Sequence, residues 1–229
     1  MEIFTLEFWT TLLSIVMIDL VLAGDNAIVI GLAARNLRKE DQKKVIIWGT
    51  VGAVIIRVLA TMAVVYLLQI PGLLLVGGLM LIYIALKLMT DEKEHEVKSS
   101  TSILAAIRTI IIADAAMGLD NVLAVAGAAQ HDYLLVVMGL AISVPIVVWG
   151  STMVLKLIER FPIIITIGAG VLGWTAAKMF VKERFLADFF VNPVIKYGFE
   201  IFMIVAVIAA GLVIKHKQAE KRTLQEGHA

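Results

Sequence analysis

Two short stretches concentrate the chemistry of this chain. DLVLAGDN begins at Asp19 and DAAMGLDN begins at Asp114, and both read D-x5-D-N at a spacing of 95 residues. Each supplies two carboxylates and a carboxamide: Asp19, Asp25 and Asn26 in the first, Asp114, Asp120 and Asn121 in the second. Both are embedded in apolar sequence. An ionised carboxylate in hydrocarbon costs at least a few kcal/mol unless it is paired, so such residues are rare and mark sites. Residues seven apart share a helix face. Asp19 and Asn26 therefore line one stripe, as do Asp114 and Asn121, while Asp25 and Asp120 point elsewhere on an ideal helix. Gly24 and Gly118 offer places for a helix to bend or unwind. Unwinding would add backbone carbonyls to a donor set already made of oxygen. Such a set suits Mg²⁺, Ca²⁺ or Mn²⁺ rather than Cu⁺ or structural Zn²⁺. Met17 and Met117 lie close by as auxiliary candidates. A thioether in the shell would favour Mn²⁺, and ordinary packing is the plainer reading of each.

The competing reading of the aspartates is structural ion pairing with Arg57, Arg108, Lys87 and Lys178. Arg57 lies deep in an apolar segment and needs a carboxylate partner. Lys87 and Lys178 can serve as counter-charges when no metal is present, or snorkel to the interface. An intramembrane aspartyl protease also uses two aspartates. MGLD at Met117 only faintly echoes a G-x-G-D motif and lacks its second glycine, and two Asp-Asn pairs exceed what a dyad needs. The four histidines fall in loops or the tail without ligand spacing. No catalytic residue is assigned, and an enzyme is not expected.

The elements that must position these motifs follow from composition. Of 229 residues, 60% are hydrophobic and 17% charged. Soluble domains run to roughly half apolar and about a quarter charged, so lipid is the natural solvent for this chain. The net charge of +1 says nothing about nucleic acid, but no basic stripe of the kind that tracks phosphates occurs, so no nucleic-acid partner is expected. With no cysteine, disulfides, thiolate metal sites and redox pairs are excluded. No basic segment precedes the first apolar run, so that span is expected to be retained. Seven apolar segments have spanning length: Thr5 to Ala34, Val45 to Ile70, Gly72 to Met89, Ser102 to Ala129, Tyr133 to Ile158, Ile163 to Phe180 and Val194 to Ile214. The first is long, which suits a broken or tilted helix. The tail from Lys215 is polar and expected to be disordered. With the N-terminus outside, 14 of the 20 Lys and Arg fall on the cytoplasmic side, and only Lys182, Arg184 and Lys196 fall outside. The positive-inside rule then fixes an N-out, C-in orientation.

The motif repeat extends further. Pro71, Gly77 and Lys87 recur as Pro162, Gly168 and Lys178 at a spacing of 91, and a loop-sized deletion accounts for the change from 95. Three spans per copy is an odd number, so the second copy enters the membrane in the opposite sense, as in many secondary transporters. The expected fold is all-α, with two inverted three-helix repeats (1–98 and 99–182), a seventh helix (183–214) and a cytoplasmic tail (215–229).

In DLVLAGDNAIVIG from Asp19, ADAAMGLDNVLAVAG from Ala113, and the paired P-x5-G-x9-K blocks, the sequence resembles the TerC family of integral membrane proteins over nearly its whole length. The resemblance implies a seven-helix fold of two inverted repeats and a role in metal-ion homeostasis, with Mn²⁺ export from the cytoplasm attributed to several bacterial members. It also implies that Asp19, Asp25, Asn26, Asp114, Asp120 and Asn121 form the metal site. The expected activity is secondary transport of Mn²⁺ as cargo, with proton antiport, across a bacterial plasma membrane. No phosphate-binding loop for ATP is present. The expected partners are the divalent ion and the lipid bilayer. A membrane-protein assembly or metal-delivery factor is the alternative.

Overall fold

The computed structural model describes residues 5–63, 70–90, 99–129 and 132–226, without the side chains of 21, 99–102, 119, 120, 123, 126 and 221–226. Among the described residues the secondary structure is helical: α1 (Leu6–Leu22), α2 (Gly24–Ala34), α3 (Lys39–Met62), α4 (Leu73–Thr90), α5 (Ser99–Ala128), α6 (Tyr133–Arg160), α7 (Ile163–Lys182), a 3₁₀ turn (Ala187–Phe190) and α8 (Pro193–Glu226). In lipid each backbone polar group must be satisfied within its own segment, which selects helices for apolar runs of this length. Five helices are long and apolar enough to span: α3, α4, α6, α7 and the Pro193–Glu220 part of α8. The α1–α2 pair makes a sixth candidate if counted as one bent span. The expected fourth span corresponds to α5, which carries Arg108, Asp114 and Asp120 in an otherwise mostly apolar run.

Three expectations are refined. The long first span is broken, with α1 and α2 meeting at Ala23 at a bend of 49°. α5 runs unbroken through Gly118, so no free carbonyls arise there. Residues 215–226, expected to be disordered, continue α8 as helix. Lys, Gln, Ala, Glu and Arg are strong helix formers, and no Gly or Pro interrupts them before Gly227. Lys93, His95, Lys98, His131, His228 and the end of the second expected span (64–69) lie outside the described residues.

α5 is the centre of the bundle, packing against α1, α2, α3 and α4. α1 and α2 lie on α6, α4 lies on α7, and α8 packs on α7 and α4. Three apolar clusters fill the interior. One joins α2, α4, α5 and α7 around Leu81 and Leu172, one joins α1, α5 and α6 around Ile15 and Leu140, and one joins α2, α3, α5 and α6 around Val45 and Ile110. The outward faces carry large apolar side chains such as Trp48, Tyr83, Trp149 and Phe202, as a lipid-facing surface requires. Within lipid, helix association relies on close packing at small residues. The matched Gly77 and Gly168 both serve this end. A Cβ on Gly77 would lie 2.5 Å from Met179 Cε, and one on Gly168 would lie 2.8 Å from Ile28 Cγ2.

One buried carboxylate ties the end of α7 to the start of α4. Glu183, just past α7, accepts hydrogen bonds from the Gly72 N–H (3.1 Å), the Leu75 N–H (3.4 Å) and the Arg184 N–H (3.1 Å). Two of these are free donors of the first turn of α4, where negative charge is favoured. Gly72 adopts φ 79°, a left-handed conformation suited to glycine, and this turns the chain so that its N–H reaches Glu183. Glu183→Ala is expected to destabilise the protein by about 1–2 kcal/mol, the loss of a cap plus buried donors left unsatisfied. The thermal midpoint of the purified protein in detergent measures this, and an unchanged midpoint would show the cap to be dispensable.

Candidate metal centre

Four helices bring their polar side chains to one point. Asp19 (α1), Arg57 (α3), Asp114 (α5) and Ser143 (α6) are all buried, with Asp19 and Arg57 only 1% and 4% exposed. Arg57 Nη1 donates to Asp19 Oδ1, and Arg57 Nη2 donates to Asp114 Oδ1. Ser143 Oγ donates to Asp19 Oδ2, and it also lies 2.9 Å from the Leu140 carbonyl oxygen. A guanidinium is planar and presents parallel donors, so it can bridge two carboxylates where an ammonium cannot hold that geometry. Burying such a group is costly unless its charge is matched. Two carboxylates against one guanidinium leave one formal negative charge in the network.

The arrangement is also incompletely satisfied. Among the described residues, Asp114 Oδ2, Arg57 Nε and both side-chain polar atoms of Asn26 are buried without a hydrogen-bond partner. Orphaned buried polar atoms are uncommon and call for an explanation. The break at Ala23 turns α2 so that Asn26 faces α5 rather than continuing along α1. Asn26, Asp114 and Met117 then line a cavity of about 10 Å³, closed by Val29, Ile30 and Ile110. That is room for roughly one water molecule or a bare cation. A carboxylate, a carboxamide and a thioether side chain thus come together in the lining of one small cavity. Beside it lies a second cavity of about 360 Å³ between α3, α4 and α5. Its wall is mostly apolar, and it too reaches Arg57 and Asp114.

The expected site residues separate into groups. Asp19 and Asp114 meet through Arg57, as the ion-pairing reading of these residues requires, and Asn26 joins Asp114 through the small cavity. Asn121 is buried on α5. Asp25 turns away, as its helical position implies, and accepts a hydrogen bond from Thr175 Oγ1 at 3.3 Å. The side chain of Asp120 lies outside the described residues. Among the described residues no three acidic or histidine side chains gather at metal-holding distance. Met117 is buried at the cavity, but Met17 is 52% exposed and faces outward. Met17 stands two residues before Asp19, roughly 200° around the helix, so the two cannot share a face. Neither Lys87 nor Lys178 forms an ion pair with a motif carboxylate among the described residues. Lys178 Nζ sits 3.9 Å from the centre of the Trp174 ring. Arg108 is exposed.

Sequence reasoning missed Ser143, Thr175 and Glu200. Glu200 is buried on α8 and accepts a hydrogen bond from Trp174 Nε1 at 2.9 Å. Its signal was present, an acid inside an apolar run. Ser143 and Thr175 carry none, because a lone hydroxyl in a helix usually bonds its own backbone.

A multi-pass bundle with a buried Arg–Asp network at its centre is a membrane protein built around internal charge. The chain belongs to the integral membrane protein TerC family, whose model matches residues 4–219. It is 42% identical over 217 residues to YjbE of Bacillus subtilis (strain 168), described as an uncharacterized membrane protein, covering 94% of this chain and 99% of that one. It is 25% identical over 195 residues to YkoY, an uncharacterized membrane protein of the same organism, covering 76% of this chain and 60% of that one. A UPF0053 protein of Haemophilus influenzae is 27% identical over 161 residues, covering 61% of this chain and 67% of that one. No solved structure matches the chain.

Ser143→Ala removes the hydroxyl that satisfies Asp19 Oδ2 without emptying the core. It is expected to cost about 1–3 kcal/mol, the penalty of an orphaned buried acceptor. Thr152→Ala, which removes only a hydroxyl bonded to its own helix at the Val148 carbonyl, serves as the control and should cost a few tenths. Equal thermal midpoints for the two variants would argue against a structural role for the Ser143–Asp19 bond.

Proposed function

We propose that the protein is a secondary transporter that exports a divalent metal cation, Mn²⁺ as the preferred cargo, from the cytoplasm across the plasma membrane. The observation that carries this reading is the ion-sized cavity lined by Asp114 and Asn26, two residues whose Oδ2 and carboxamide are buried and unpartnered. Oxygen donors of this kind suit a hard divalent cation, and the Met117 thioether shifts preference toward a transition metal. The remaining motif residues, Asp19, Asp25, Asp120 and Asn121, complete the coordination as the cation passes. The motif carboxylates take protons in exchange, so the proton gradient drives export. On this reading the chain performs no chemistry on a substrate and is not an enzyme.

The transporter architecture consists of seven spans, two of the three-span units being inverted repeats. The pattern of contacts supports it. α1 and α2 against α6 is answered by α5 against α3, and α4 against α5 is answered by α7 against α2, while α4 and α7 meet each other. These are the pairings that a two-fold relation between 1–98 and 99–182 would produce. The orientation is N-out and C-in, supported by the clustering of Lys and Arg at 35–44, 87–98, 156–160 and 215–222.

Cellular Mn under Mn²⁺ stress tests the function. In cells lacking the protein, re-expression of wild type is expected to lower Mn content severalfold, and Asp114→Asn at equal membrane abundance is expected not to. Equal lowering by both would remove Asp114 from the site. No lowering by either would exclude Mn²⁺ export and favour an assembly or metal-delivery role. Met117→Leu, a swap of similar volume, is expected to reduce the preference for Mn²⁺ over Mg²⁺ by about tenfold while keeping the fold. Competition measured in proteoliposomes reads it, and an unchanged preference would assign Met117 to packing alone.

A further inference from the structure

The guanidinium of Arg57 occupies the position of a cation between two carboxylates. It engages one oxygen of Asp19 and one of Asp114, while the other Asp114 oxygen is buried without a partner and Asp114 itself lines the ion-sized cavity. A divalent cation at Asp114 Oδ2 would therefore share a carboxylate with Arg57, and like charges at such a separation in a dry interior repel strongly. We infer that Arg57 is a resident counter-cation that the transported ion must displace, and that its return expels the ion. The inference rests on the proposed function above.

Two further features of the site fit displacement. Arg57 has room to move, since the 360 Å³ cavity between α3, α4 and α5 is lined by Arg57 itself and by Gly118. A side chain on Gly118 would begin to fill that space, its Cβ lying 4.0 Å from Arg57 Nε. The same cavity offers a displaced guanidinium no second acid, because Asp114 is the only acidic residue among its described lining residues. An unpaired guanidinium in an apolar pocket is costly, so the bridge re-forms whenever the carboxylates become free. Binding of the ion and bridging by Arg57 thus exclude one another, which limits affinity and favours release. An ion that binds too tightly is not transported, and an internal competitor is one way to set that limit.

The test is the response of the purified protein in detergent to MnCl₂, read as thermal midpoint and as the half-saturating Mn²⁺ concentration. Arg57→Gln should have a lower midpoint than wild type without metal, because two buried carboxylates lose their partner. Mn²⁺ should raise that midpoint more than it raises wild type, since the metal supplies the missing positive charge. The half-saturating concentration should fall by about tenfold or more, a factor of ten corresponding to about 1.4 kcal/mol of repulsion removed. Arg57→Lys keeps a charge but cannot bridge both carboxylates. It too should bind Mn²⁺ more tightly than wild type, and it decides the matter if Arg57→Gln yields no folded protein. Equal Mn²⁺ responses of wild type and the variants would overturn the displacement and leave Arg57 a structural brace. No Mn²⁺ response in any of the proteins would overturn the metal reading itself, and this inference with it.

Discussion

Everything at the centre of this molecule depends on keeping a positive charge between two negative ones where water cannot reach. Asp19 and Asp114 stand on helices that begin almost a hundred residues apart, and neither carboxylate can stay ionised in hydrocarbon without a partner. Arg57 supplies the charge to both through two nitrogens of one rigid plane. The packing of α1 and of α3 on α5 brings together the three helices this bridge requires. The network is satisfied well enough to fold and poorly enough to leave Asp114 Oδ2 and Asn26 open. A fully satisfied cluster would be only a brace, whereas this one keeps unfilled valences on residues that line a small cavity.

The polar elements at the helix ends serve the same economy at lower stakes. Glu183 answers free donors of α4, Asp132 answers those at the start of α6 by accepting from the Leu134 and Leu135 N–H groups, and Thr5 accepts from the Phe8 N–H at the start of α1. On α7, Thr175 and Trp174 hold Asp25 and Glu200 on adjoining faces, so a second line of polar groups runs from the first helix pair to the last helix. A single helix thereby touches both the motif region and α8.

The sequence made the motif helices readable because carboxylates in apolar runs have few innocent explanations. The seven-residue spacing assumed one continuous helix, whereas the break at Ala23 falls between Asp19 and Asn26, so the two stand on different helices and Asn26 shares a cavity lining with Asp114 instead. Arg57 was legible as a charge needing a partner, although which aspartates it would choose was not. That choice is set by tertiary packing across 38 and 57 residues of chain. Ser143 was illegible for the same reason, joined to Asp19 across 124 residues. Met17 misled because nearness in sequence is not nearness on a helix. The tail misled because polar composition resembles disorder when the run of helix-forming residues within it is overlooked.

If the two halves are inverted copies, the site is still not symmetric, and the departure lies at Arg57. The matched stretch of α6, 91 to 95 residues further on, is Val148, Trp149, Gly150, Ser151 and Thr152, none of them charged. Asp19 receives a serine hydroxyl from α6 and a guanidinium nitrogen from α3, while Asp114 receives only the guanidinium. The two aspartates are therefore unequal: Asp19 is held at both oxygens and Asp114 at one. On that condition a duplicated frame supplies equivalent carboxylates, and the Ser143 hydroxyl, rather than the arginine that reaches both, makes them unequal. Asp114, rather than its counterpart Asp19, is the residue with an oxygen to offer, and it is on the side where Asn26 and Met117 close the cavity.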